Sequence, residues 1–183
     1  APLVITVGDP QRVERVSRYF DEIVIKKRHR EFVTHTGYLN QHKITVVSTG
    51  IGPDNADIVL NELDALANVD LVQRRVRPII RSLKIVRIGT CGGLQPEVPL
   101  DSWIVSTHGF GFDNMMNYYR APVTTEEKKL QMAAEIHFAQ APAVPYVFAA
   151  NPTLCNLLLP RALGGITATC CGFYAPQGRM LRG

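Results

Sequence analysis

Three short apolar segments run straight into glycine-bearing turns: Leu3-Val4-Ile5-Thr6-Val7 into Gly8-Asp9-Pro10, residues 43–48 into Thr49-Gly50-Ile51-Gly52-Pro53, and residues 84–88 into Gly89-Thr90-Cys91-Gly92-Gly93. β-Branched runs of this length read as strands, and a glycine directly behind a strand lets the backbone turn sharply. Helical spacing then begins twice, with Val13, Val16 and Phe20 after the first turn and Ala56, Val59, Leu60, Leu63 and Leu66 after the second. Strand, glycine turn and helix in succession predict an α/β chain whose sheet is at least partly parallel. In such sheets ligands gather at the carboxyl ends of the strands, where these turns lie.

Asp9 stands where a helix N-cap belongs and Pro10 where the first helical residue belongs. Residues 31–38 and 43–48 flank the polar pair Asn40-Gln41 and read as a hairpin. Residues 72–83 put Arg74, Arg77, Arg81 and Lys84 on one helical face and Val76, Ile79, Ile80 and Leu83 on the other, with Pro78 weakening the helix. Further on, 103–107 and 164–171 read as strands, 125–140 and 152–159 as helices, and 172–183 as a loop. No repeat or linker divides the 183 residues, so one domain over 1–183 is expected.

Hydrophobic residues make up 46% and charged residues 20%, which excludes disordered and collagen-like chains. Apolar runs such as Leu157-Leu158-Leu159 fall far short of the roughly 18 residues of a membrane span. A net charge of +4 permits a nucleic-acid partner without requiring one. Cys91, Cys155, Cys170 and Cys171 show no C-x-x-C spacing and no histidine at ligand spacing, which argues against zinc. They read as reduced thiols, and the start Ala1-Pro2-Leu3 has no signal core, so a cytoplasmic protein is expected. His35, His42, His108 and His137 have no acidic partner at readable spacing and are taken as structural or surface residues.

Two of the three turns carry arginines. In Gly8-Asp9-Pro10-Gln11-Arg12, glycine opens the backbone to an anion, the helix start offers N–H groups and Arg12 can fork onto two oxygens; a capped helix start with a solvated arginine is the plainer alternative. Arg87 falls inside an apolar strand, and a buried arginine there needs an anion, either a ligand or an internal carboxylate. In Phe173-Tyr174-Ala175-Pro176-Gln177-Gly178-Arg179, an aromatic face stands beside an amide and a guanidinium. That set can stack on and read a nucleobase, or be an ordinary surface loop.

In this order, Gly8-Asp9-Pro10-Gln11-Arg12, His29-Arg30-Glu31-Phe32, Ser48-Thr49-Gly50-Ile51-Gly52, Arg87-Ile88-Gly89-Thr90-Cys91-Gly92 and Phe173-x-x-x-Gln177-x-Arg179 resemble the nucleoside phosphorylase family, in its uridine-cleaving branch. The resemblance implies a three-layer α/β/α sandwich with a mixed central sheet, assembled as homodimers or hexamers of dimers. It implies cleavage of uridine to uracil and ribose 1-phosphate, with inorganic phosphate as co-substrate and no cofactor. Gly8, Arg12, Arg87 and Thr90 would bind phosphate, and Arg30 would reach the phosphate of a neighbouring subunit. Thr90 would also touch ribose, Cys91 and Gly92 would line the base pocket, and Phe173 would stack on the base. Gln177 and Arg179 would hold the uracil edge and, with Arg87, carry catalysis. Glu31 matches a family position that helps hold a monovalent cation at the dimer interface, but Asn55 stands where bacterial members have serine, and no metal is assigned. Beyond the Gln-x-Arg loop the family has a further strand and helices with a Glu-Met-Glu segment that grips ribose, and family members lend an N-terminal histidine to the adjacent site. This chain contains neither, so a truncated or degenerate copy is expected.

Three alternatives follow from the same residues. A nucleoside-binding pseudoenzyme would bind without turnover. A nucleosidase of the same fold would release base without phosphate. An RNA-binding module using Arg74, Arg75, Arg77, Arg81 and Lys84 would show steeply salt-dependent affinity.

Overall fold

The computed structural model describes residues 1–182, which divide after Thr90 into two units. The first runs β1 (Leu3–Val7), α1 (Gln11–Ser17), β2 (Glu22–His29), β3 (Phe32–Leu39), β4 (His42–Ser48), α2 (Pro53–Asn68), β5 (Val69–Asp70), β6 (Arg75–Val76) and β7 (Lys84–Ile88). Its five-stranded sheet has the order β2-β3-β4-β1-β7. β1 is parallel to both neighbours, and Val7 aligns with Ser48 on one side and Ile88 on the other. The meander β2-β3-β4 is antiparallel, so the sheet is mixed.

Alternation along β1 and β4 explains the layers. Val4 and Val47 face one way and pack with Val59 and Leu63 of α2, while Val7 and Val46 face the other way and pack with Val13 and Val16 of α1. Helices therefore cover both faces, an α/β/α arrangement as expected. On the α1 side, the buried pair Ser17 and His35 closes with a 2.8 Å contact between Oγ and Nδ1.

Some local readings are corrected. α1 is assigned from Gln11, with Pro10 already helical and the Asp9 carboxylate accepting the Gln11 amide at 2.8 Å. The arginine stretch at 72–83 is no helix but a tight β5–β6 pairing, Val69 with Val76 and Asp70 with Arg75. Asp70 Oδ1 captures the amides of Val72 and Gln73, Arg74 takes φ 51°, and Pro78 cannot donate to a helical ladder. The buried side chain of Asn68 closes this excursion, accepting from Arg81 N at 2.7 Å and donating to Arg81 O at 3.1 Å. β2 carries no clear strand pattern in the sequence, being an edge strand with charged residues at its end and Ile23 as its one half-buried position.

The second unit contains β8 (Ile104–Gly111), α3 (Thr125–His137), β9 (Tyr146–Ala149), α4 (Pro152–Leu158) and β10 (Leu163–Thr169), with short 3₁₀ turns at Met115–Tyr118, Leu159–Arg161 and Ala175–Gln177. Its sheet, ordered β10-β8-β9, is also mixed: β10 is parallel and β9 antiparallel to β8. α3 starts with a capping box in which Thr124 and Glu127 satisfy each other's amides, and Glu127 Oε1 also accepts from Ala149 N at 2.7 Å. One buried carboxylate thus ties α3 to β9. Among the described residues no helix is long and apolar enough to cross a membrane.

Candidate functional site

Because Val7, Ser48 and Ile88 are in register, the three glycine turns leave the same edge of the first unit's sheet. The ladder continues past the strand ends, Thr49 N donating to Val7 O at 2.8 Å and Gly50 N to Gly8 O at 3.0 Å. A β-carbon at Gly8 would lie 3.6 Å from Gly50 O, an ordinary contact, so this glycine keeps backbone open rather than relieving a clash.

Arg12 sits half-buried in the first turn of α1. The helix-start amides expected to meet an anion are already used: Gln11 N by Asp9 Oδ1, Arg12 N by Asp9 O and Val13 N by Pro10 O. The available donor here is the Arg12 side chain. Arg87 is corrected too. It is exposed, since β7 is the edge strand, and therefore has no need of a buried counter-ion. Its guanidinium lies against Gly89, where a β-carbon would collide with Nη1. Thr90 follows, exposed.

Arg30 and Glu31 form the two-residue tip between His29 of β2 and Phe32 of β3, with Arg30 exposed at φ 54°. β3 runs antiparallel to β4, so this tip also lies at the edge where β4 ends. Ser48 fastens it there: its buried hydroxyl donates to Glu31 O at 2.5 Å and accepts from Val33 N at 2.7 Å. Ser48 has no signal of its own in the sequence, because its partners lie around the hairpin tip before β3, 15 and 17 residues back along the chain. Arg12, Arg30 and Arg87, together with Asp9 and Glu31, thus mark this edge.

In the second unit, Cys91 and Gly92 are exposed and outside regular structure, and nothing lies within 4 Å of a β-carbon at Gly92. Phe173 is 60% exposed. The segment after it is a closed turn: Tyr174 O accepts from both Gln177 N and Arg179 N at 2.9 Å, and Gly178 takes φ 68°. Gln177 Nε2 donates to Gly172 O at 3.0 Å, leaving Oε1 and a second N–H for other partners. Arg179 is exposed. Burial raises the Cys170 thiol, with Cys171 and Asp113 adding to it, so the residue just before this turn stays a thiol at neutral pH. All four cysteines are free. Among the described residues no cluster of three or more His, Cys, Asp or Glu side chains is arranged to hold a metal.

A cleft of about 310 Å³ lies at the β5–β6 excursion, lined by Asp70, Arg75, Arg77 and Arg81 among others, and contains none of the residues named for the site.

The family model of the phosphorylase superfamily matches residues 2–182. The chain is 29% identical to a uridine phosphorylase of Escherichia coli over 184 residues, covering 98% of this chain and 59% of that protein. It is 29% identical to a uridine phosphorylase of Thermococcus kodakarensis over 184 residues, with 98% and 54% covered. Among solved structures it is similar to a Trypanosoma brucei nucleoside phosphorylase described as showing uridine phosphorylase activity, with a TM-score of 0.86, 29% identity, and coverage of 99% of this chain and 66% of that one. The chain thus spans about half to two thirds of the length of these relatives.

Proposed function

The chain belongs to the phosphorylase superfamily, and from that premise we propose that it serves the phosphate-dependent cleavage of uridine to uracil and ribose 1-phosphate. The observation carrying this reading is the flush edge of β4, β1 and β7, which gathers Gly8, Arg12, Arg30, Arg87 and Thr90 at strand carboxyl ends of one unit.

In phosphorolysis a phosphate oxygen bonds to the anomeric carbon as the bond from that carbon to the base nitrogen breaks. The nitrogen keeps the electron pair, and negative charge spreads to the uracil oxygens. Phosphate must therefore be held and stripped of water, which forked guanidinium donors do without any proton transfer. Arg12 and Arg87 take this role, with Gly8 allowing close backbone approach and Thr90 adding a hydroxyl. Arg30, exposed on its hairpin tip, serves the phosphate of a second copy, which makes the working form a homodimer or an assembly of dimers. On the base side, Phe173 supplies a stacking face, Cys91 and Gly92 a wall, and Gln177 and Arg179 donors where charge grows on the leaving uracil. A Gln-x-Arg pair offers an acceptor and several donors, which suits a pyrimidine edge with its alternating carbonyl and N–H groups.

Base release from uridine and from inosine, measured side by side in phosphate buffer, tests this reading. Uridine is expected to be cleaved and inosine left intact. Preference for inosine would overturn the roles given to Gln177 and Arg179.

A further inference from the structure

Asn55, half-buried in the first turn of α2, uses one side-chain nitrogen twice: Nδ2 donates to Glu31 Oε1 at 3.2 Å and to Ile51 O at 3.2 Å. Gly50 lies directly beneath this bridge. It holds φ +72°, and a β-carbon there would stand 2.6 Å from Asn55 Nδ2 and 2.9 Å from Glu31 Cγ. Glycine at this position thus makes room for the bridge as well as for the backbone.

A carboxylate oxygen and a carbonyl oxygen converging on one point are hard-cation ligands. Here that point is filled by an NH₂ group, whose two hydrogens match the two acceptors. The cation that the family resemblance implies at Glu31 does not fit this arrangement, because Nδ2, and not the amide oxygen, faces both acceptors, and its N–H dipole presents its positive end to any cation there. We infer that Asn55 stands in for that cation as a fixed amide bridge, so that the tip carrying Arg30 is fastened without a metal. Glu31 is then gripped at both ends, its carbonyl by Ser48 Oγ and its carboxylate by Asn55, and the neighbouring Arg30 keeps its left-handed backbone. Asn55 is in this sense a positioning residue. An amide bridge, unlike a bound ion, does not vary with the ionic composition around it.

The inference concerns cohesion of the first unit and stands or falls independently of uridine cleavage. Thermal unfolding of the 183-residue chain is compared in potassium, sodium and choline chloride at equal ionic strength, with and without calcium chloride. The unchanged chain is expected to melt within about 1 °C in all of them. Asn55→Asp keeps the shape but replaces both N–H donors by a second carboxylate oxygen beside Glu31. It is expected to melt roughly 2–4 °C lower or more in choline chloride and to recover in potassium or calcium. Cation stabilisation of the unchanged chain would overturn the inference, and so would an Asn55→Asp chain that melts like the parent in every salt.

Discussion

The guanidinium of Arg87 lies against Gly89, in the space that a β-carbon at position 89 would take. The strand thus delivers an arginine that folds forward over the turn it feeds, and the glycine is what lets it lie flat. Because Arg87 is exposed on an edge strand, its charge serves no internal partner that folding depends on. Arg87→Ala is therefore expected to lower kcat/KM for phosphorolysis by roughly 10²–10³-fold while Tm shifts by no more than about 2 °C. Gly89→Ala should raise the KM for phosphate with Tm likewise nearly unchanged, since the displaced group is the far end of a flexible side chain. Unfolding of Arg87→Ala under conditions where the parent is folded would contradict this.

Gly50→Ala meets a harder obstacle. The new methyl group would occupy a backbone position at φ +72° and press on Asn55 Nδ2 and Glu31 Cγ. A loss of about 1–3 kcal/mol of stability is expected, against a much smaller loss for Gly8→Ala, where the nearest atom is 3.6 Å away. Denaturant unfolding of the two variants checks the ranking, and equal losses would contradict it.

His35 gives the fold a pH dependence. Burial holds its pKa below the ordinary 6.5, Lys26 lowers it further and Glu14 partly opposes them. Between the folded and unfolded values the unfolded chain binds the proton and the folded chain does not, so stability is full above about pH 6.5 and is lost as pH falls through the folded value. His35→Gln, which keeps a polar partner for Ser17, should flatten the fall in Tm over this range. An unchanged slope would assign the pH dependence to other groups.

Asn68 closes the arginine excursion through paired hydrogen bonds to both backbone groups of Arg81. Asn68→Ala removes both hydrogen bonds while the freed Arg81 groups, on an exposed residue, can turn to water, for a cost of about 0.5–1.5 kcal/mol per bond. Hydrogen exchange should quicken in the backbone of residues 75–81 before it changes in β1 or β4. Protection lost evenly over the sheet would contradict a local closing role.

What the sequence made legible follows its periodicity. β1, β4 and β7 are rich in β-branched residues and lead into glycine turns, and α2 has an apolar stripe long enough to outvote its polar residues, so each is readable within a residue or two, while α3 starts where expected and ends three residues early at His137. β2 and β9 are not readable: one is a charged edge strand, the other four residues in a proline-flanked stretch. The cationic helix at 72–83 failed because side-chain capture by Asp70 and Asn68 outweighs a periodic pattern that Pro78 already interrupts. The candidate site residues stand out in the sequence as motifs, yet their local geometry does not. That Arg87 is exposed follows from sheet order, that Ser48 grips Glu31 follows from the β3–β4 pairing, and that Asn55 reaches it follows from where α2 starts; none of these is written in local spacing.

The central claim is that the arginine-bearing edge serves phosphate as a reactant. The most direct test measures uracil release from uridine with and without inorganic phosphate, and counts the sugar product. Release that requires phosphate, with one ribose 1-phosphate formed per uracil, is the expected result. Release at the same rate without phosphate, with free ribose as the partner product, would contradict it.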